Sequence, residues 1–373
     1  MEPLDSTRSS STSNAWPSRL LWFGLGVLLA TIVWIWILDP KLFGLRPTVT
    51  NPIGPHETQL GVHVVDALSK SWDFDDETVS WDAVLPLAQI SDAAYKQGIE
   101  LNSLLSKFGL ARISEFPAES MYGCVASNDD IVVVAFRGTN SNQLRDWLAD
   151  ADIASKAVDH GRVHSGFYDA TQSLREPIFA AVKAHGGDNK RVWITGHSLG
   201  GAMALVLALD CISDGGIKPA GIVTFGQPLV VDGELAQFLN DQLKGKYLRF
   251  VHGGDIVPRV FPTFSHCGNL VWFVNDGYTF RRPDIIVRAT RAPNENAPLE
   301  ISESPPTMSV REFEQLQESL RTQREMAPIP DGEARSLNLR APAFLEDHFM
   351  RGYLHWIVVL QDRALRTAKK PTP

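Results

Sequence analysis

The chain has 373 residues, 44% of them apolar, and a formal net charge of -8. That length carries one large α/β domain with additions, and the apolar share is that of an ordinary globular core. The negative balance leaves no electrostatic case for a nucleic-acid partner.

Residues 1–19 are rich in Ser and Thr and are expected to form a disordered tail. Residues 20–38 are uncharged and apolar throughout, roughly 28 Å of helix, close to the thickness of bilayer hydrocarbon. Trp16 and Trp22 lie near one end, Trp34 and Trp36 near the other. The stretch is long for a cleaved leader, and no small-x-small site follows it. A single N-terminal transmembrane helix is therefore expected, with a single-pass membrane localisation and the membrane as a partner. Arg8 and Arg19 before it nearly balance Lys41 and Arg46 after it, so the orientation is not set. Residues 39–58, with Pro40, Pro47, Pro52 and Pro55, read as a stiff linker, and 59–373 as the folded domain.

Within that domain 59–70 can form a short first helix. Residues 81–97 place Val84, Leu87, Ile90, Ala94 and Tyr95 on one helical face. Residues 121–127 and 131–136 read as strands joined by Asn128-Asp129-Asp130 turn chemistry. The second strand ends in Arg137-Gly138-Thr139. A Gly-Thr stop leaves an amide and a hydroxyl at the carboxyl edge of the sheet, where open α/β sheets bind ligands. Residues 140–150 follow as a short amphipathic stretch. Leu144, Trp147 and Leu148 lie on one side, Arg145, Asp146 and Asp150 on the other. It reads either as a lid or as a surface helix packing its Trp on the body. Residues 163–167 read as a strand and 168–185 as a helix kinked or broken at Pro177.

The strongest local signal is Ile194-Thr195-Gly196-His197-Ser198-Leu199-Gly200-Gly201-Ala202. The β-branched run 191–195 predicts a buried strand, and 202–209, apolar on every face, a buried helix. Between them sits G-x-S-x-G in the strand-turn-helix context that a nucleophile elbow needs. Ser198 would project its Oγ into the cleft, and the Leu199 amide would point at the same space and stabilise an oxyanion. The turn is too tight for side chains at Gly196 and Gly200.

Further strands are expected at 221–225, 247–251 and 270–274. In this arrangement the acid follows the nucleophile and the histidine comes last. Asp255 lies in a Gly-rich loop after 247–251. Asp276, its rival, sits in an Asn-Asp-Gly hairpin turn. For the histidine, His266, His348 and His355 all follow Ser198, and His252 precedes the acid. The three cysteines (Cys124, Cys211 and Cys267) show no metal or redox spacing, and no phosphate-binding glycine motif is present.

Taken in order, 136–139 (Phe-Arg-Gly-Thr), 146–150 (Asp-Trp-Leu-Ala-Asp), 163–167 (Val-His-Ser-Gly-Phe), 195–202 and 224–228 (Thr-Phe-Gly-Gln-Pro) resemble the class 3 lipases. The resemblance runs from about residue 83 to about 357. It implies an α/β-hydrolase fold with a central mostly parallel sheet, and hydrolysis of lipid esters through a Ser-His-Asp triad with no cofactor and no metal. It implies Thr139 as the second oxyanion amide, and 141–150 as a lid helix with Trp147 as its tryptophan. Asp255-Ile256-Val257-Pro258 is similar to the family's acid motif. Residues 347–353 (Asp-His-Phe-Met-Arg-Gly-Tyr) resemble the family's Asp-His segment, which points to His348 as base. A phospholipase or polar-ester esterase with the same triad, or an inert hydrolase-fold binding protein, are the competing expectations.

Residues 281–345 depart from the family pattern and are expected to be a partly disordered insert. Inside it Ser309 and Glu312 form a capping box, and Phe313, Leu316 and Leu320 share a helical face. That predicts one short helix, read either as part of a flexible loop or as a cover over an acyl site.

Overall fold

The structure, a computed structural model, describes residues 66–74, 79–118, 121–214, 216–274, 277–281, 289–290, 305, 308–326 and 343–368. All belong to the second of two compact units, Pro52–Pro373. The expected tail, span and linker, residues 1–58, lie outside the described residues, as does Asp276. Among the described residues no helix is long and apolar enough to cross a membrane. The two longest, Ser165–Ala184 and Met350–Ala368, carry charges along their length, including Arg175, Glu176 and Lys183 in the first and Asp362 and Arg366 in the second. No described helix therefore supports the expected single-pass membrane localisation.

After a 3-10 turn at Ala67–Ser69 come α1 (Trp81–Ala93) and α2 (Gly98–Lys107). Val84, Leu87 and Ile90 of α1 are buried, as their spacing predicts. Three strands follow, β1 (Arg112–Ala118), β2 (Met121–Ser127) and β3 (Ile131–Phe136), the last two with the limits expected from sequence. Asn128 Oδ1 closes their turn by accepting the amides of Asp130 and Ile131, each at 2.9 Å. Next are α3 (Ser141–Asp150), the hairpin β4 (Ser155–Val158) and β5 (Gly161–His164), and α4 (Ser165–Ala184). Here the expected strand at 163–167 is cut short. The His164 imidazole accepts the Gly166 amide at 3.2 Å, caps the helix and starts it at Ser165. Pro177 lies inside α4 without ending it.

The chain continues through β6 (Arg191–His197), α5 (Leu199–Asp214), β7 (Pro219–Phe225), α6 (Gly233–Gln242), β8 (Tyr247–His252), β9 (Asn269–Val274), β10 (Gly277–Arg281) and β11 (Ala289–Thr290). It closes with α7 (Val310–Met326), the short α8 (Ala343–Glu346) and α9 (Met350–Ala368). The main sheet has nine strands in the order β1-β2-β3-β6-β7-β8-β9-β10-β11. Its centre, β3-β6-β7-β8-β9, is parallel throughout, and both flanks are antiparallel.

Pleating assigns the two faces. Ile131, Val133 and Ala135 join the core cluster that includes α1 and α9. The alternate residues Val132 and Val134 are equally buried on the opposite face, where α4 and α5 pack. Burial on both faces explains why these strands read as continuous apolar runs. The carboxyl ends of β3, β6, β7 and β8 therefore share one edge of the sheet. The three cysteines are buried as free thiols.

Candidate active site

Ser198 stands between β6 and α5 with φ 59°, a left-handed conformation that costs a non-glycine residue about 1–2 kcal/mol. Its amide donates to Phe225 O of β7 at 2.9 Å, and its carbonyl accepts the Gly201 amide at 2.9 Å. These bonds hold the strained residue in place. A Cβ on Gly196 would lie 2.2 Å from Gly200 O, and one on Gly200 2.2 Å from Phe136 O of β3. The first glycine is thus required by the turn itself, the second by the neighbouring strand. Leu199 opens α5, in the turn whose amides have no intrahelical acceptor.

Asp255 follows β8, and His348 sits between α8 and α9. Both are about 1% exposed. His348 Nδ1 lies 2.9 Å from Asp255 Oδ2 and 3.0 Å from Oδ1. The carboxylate also accepts the Tyr353 hydroxyl at 2.5 Å and the Val257 amide at 2.9 Å. Burial by itself would raise the Asp255 carboxyl. The facing His348 and these donated bonds outweigh it and hold the group below the usual carboxylate range. With Nδ1 committed to Asp255, Nε2 is the free nitrogen. Neither His348 Nε2 nor Ser198 Oγ, both buried, has a hydrogen-bond partner among the described residues.

Thr139, half-buried, follows β3. Its neighbour Gly138 is wedged against the elbow, because a Cβ there would come within 2.8 Å of Ser198 Cβ and 2.5 Å of His197 O. The loop after β3 is thereby pressed onto the turn at Ser198. His197 is buried: its Nε2 lies 2.6 Å from the His348 carbonyl and its Nδ1 2.7 Å from the Tyr95 hydroxyl. Burial, then the neighbouring His348, depress its pKa to about 3, so the ring is neutral.

The other histidines lie apart from the carboxylate. His266 Nε2 is 2.8 Å from Pro258 O, and burial holds this imidazole well below its ordinary value. His252 Nδ1 bonds to the Asp347 carbonyl at 2.9 Å. His355 is half-buried on α9 against Trp356. The fold brings Asp255 to His348.

On α3, Leu144 and Leu148 are buried and Trp147 half-buried, its ring 5.8 Å from Phe261 and 6.3 Å from Phe167. The helix α7 of the insert packs against it. The capping box is formed, with the Ser309 amide on Glu312 Oε2 at 2.7 Å and the Glu312 amide on Ser309 Oγ at 3.2 Å. Phe313, Leu316 and Leu320 are buried, and Phe313 meets Phe261 edge-on at 5.4 Å. Gln317 donates to Leu148 O at 3.2 Å and Ala151 O at 2.8 Å, capping the carboxyl end of α3. Arg324 grips the exposed Asp150 with two bonds.

Tyr95, Tyr353 and Gln317 were not reached from sequence as parts of this region. Only Tyr353 carried a signal, as the last residue of the 347–353 segment.

Residues 133–265 match the profile of the family described as Lipase (class 3). A secreted mono- and diacylglycerol lipase of Fusarium solani is 37% identical over 136 residues, 35% of this chain and 39% of that protein. A secreted mono- and diacylglycerol lipase of Malassezia globosa is 32% identical over 157 residues, 38% of this chain and 51% of that one. The chain thus spans about half or less of these relatives' length. Both are named as secreted, which joins the absence of a described membrane-crossing helix in correcting the membrane localisation. Among solved structures, a Rhizomucor miehei triacylglyceride lipase aligns with 53% of this chain and 83% of its own, at 25% identity and a TM-score of 0.46.

Proposed function

We propose that this chain, whose residues 133–265 match the class 3 lipase family, hydrolyses carboxylic esters of lipids through an acyl-enzyme on Ser198. One observation carries the reading. A serine strained to φ 59° at a strand-helix turn has its Oγ without a partner among the described residues, and so has the Nε2 of a buried Asp255–His348 pair. Leaving two buried polar atoms unsatisfied is costly, and nucleophilic catalysis is the chemistry that uses them.

His348 takes the Ser198 proton as Oγ attacks the ester carbonyl. Asp255 holds the Nδ1–H tautomer and stabilises the imidazolium that forms. The amides of Leu199 and Thr139 receive the oxyanion. His348 returns the proton to the leaving alcohol. Water, deprotonated by the same imidazole, then frees the acid and restores the serine. The apolar side of α3, with Leu144, Trp147 and Leu148, supplies the surface for the acyl chain and acts as the lid. The relatives named as mono- and diacylglycerol lipases support glycerides as the substrate class.

The test is hydrolysis of p-nitrophenyl esters from acetyl to palmitoyl by the full chain, beside Ser198→Ala and His348→Ala. Activity that rises with chain length and is lost in both variants is expected. No turnover, together with no labelling by a fluorophosphonate, refutes the reading.

A further inference from the structure

His197 precedes the nucleophile, yet its ring does not point at substrate. It lies at the middle of a chain of hydrogen bonds that joins the two halves of the site. Nε2 faces only a carbonyl, His348 O at 2.6 Å, so Nε2 carries the proton. In the neutral ring Nδ1 is then the acceptor, and the Tyr95 hydroxyl donates to it at 2.7 Å. The Tyr95 oxygen in turn lies against the backbone of Gly138. Both donors point the same way: Tyr95 O–H to His197 and His197 N–H to His348 C=O. Bonds aligned in series polarise one another in a dry interior. Contact geometry backs the chain: the His197 and His348 rings lie 4.5 Å apart, and a Cβ on Gly138 would stand 2.4 Å from the Tyr95 oxygen.

Its two ends matter most. Gly138 carries the loop whose next amide is that of Thr139. His348 O belongs to the residue that presents the base. These ends lie 210 residues apart in sequence and come from opposite sides of Ser198. We infer that Tyr95 and His197 are positioning residues that fix the oxyanion amide of Thr139 and the imidazole of His348 at one mutual distance across the nucleophile. This rests on the hydrolase reading above. Neither residue touches substrate. A misplacement of about 1 Å between such groups costs about 100-fold in rate, so a link that spans them is felt in kcat.

The experiment uses the full chain, p-nitrophenyl butyrate and four proteins: wild type, Tyr95→Phe, His197→Leu and His197→Gln. Thermal melts select the variants that fold. Tyr95→Phe keeps the ring and removes the hydroxyl, and is expected to lower kcat about 10-fold with KM within about 2-fold. His197→Leu is expected to lower kcat about 100-fold. His197→Gln restores a donor toward His348 O and is expected to recover about 10-fold of that loss. Labelling of Ser198 by a fluorophosphonate slows in the same order. Wild-type kcat in folded Tyr95→Phe and His197→Leu overturns the inference alone. So does a loss in which KM and kcat suffer together with no rescue by Gln. No turnover and no labelling in wild type overturn the hydrolase reading and this inference with it.

Discussion

Tyr353→Phe removes one oxygen from the fully buried cluster around Asp255. In the wild type that oxygen donates to Asp255 Oδ2 at 2.5 Å and accepts the His252 amide at 3.2 Å. A hydrogen bond to an ionised group contributes about 1.5–3 kcal/mol, so a loss of about 2 kcal/mol is expected at pH 7. For a domain of this size that is a fall of about 3 °C in Tm. The pH dependence carries the sharper test. Asp255 is held below its ordinary value, so its contribution is complete above the unfolded value, about 3.9, and is lost as pH falls through the folded one. Without the Tyr353 bond the carboxyl moves back up and the native state surrenders less on protonation. The difference between wild type and variant is therefore widest at neutral pH and narrows below about pH 4. Urea midpoints at pH 7, 5 and 3.5 measure it. Coincident midpoints at pH 7, or a gap that widens on acidification, refute the assignment of an ionised Asp255 held by this hydroxyl.

Ser198→Gly relieves the left-handed strain at φ 59°, so calorimetry should show a variant more stable by about 1 kcal/mol and without esterase activity. Gly200→Ala drives a Cβ to 2.2 Å from Phe136 O; the expected outcome is failure to accumulate as soluble protein, checked by expression at low temperature. His197 is depressed to about 3 by burial and then by His348, whereas an unfolded imidazole titrates near 6.5. The unfolded chain binds the extra proton, so stability declines as pH falls from about 6.5 toward 3. His197→Gln should flatten that decline in urea midpoints between pH 7 and 5, with the remaining slope left to His164, His185, His266 and His355, all also depressed by burial.

What sequence conveyed and what it hid divide along a physical line. Strands β2 and β3 were legible to the residue because the turn chemistry of Asn128-Asp129-Asp130 separates them and β3 is a β-branched run. The elbow was legible because only glycine fits on either side of Ser198. The histidines could not be ranked by spacing alone, since the insert at 281–345 separates Asp255 from His348; a resemblance in the last segment did that work. The hairpin ending at His164 was misjudged because a side-chain cap, invisible to periodicity, starts α4 early. The helix in the insert was foreseen from its capping box and apolar face, but its seat on α3 was not. Gln317 and Leu148 lie 169 residues apart, and nothing local encodes their meeting. The Tyr95–His197 link is hidden for the same reason, across 102 residues.

The seat of α7 on α3 has a consequence for how tightly the protein holds its ligands. Phe313 and Trp147 share Phe261 as a common neighbour, and Gln317 occupies the carbonyls that end α3. On the reading proposed here, an acyl chain arriving at that apolar face meets a tenant already attached to the same polypeptide. A tethered competitor acts at an effective concentration of roughly millimolar, whatever the dilution of the protein. Apparent affinity for short esters is lowered by that competition, while a long chain that buries more area wins it. The insert thereby turns chain length into a threshold without adding a contact to the substrate.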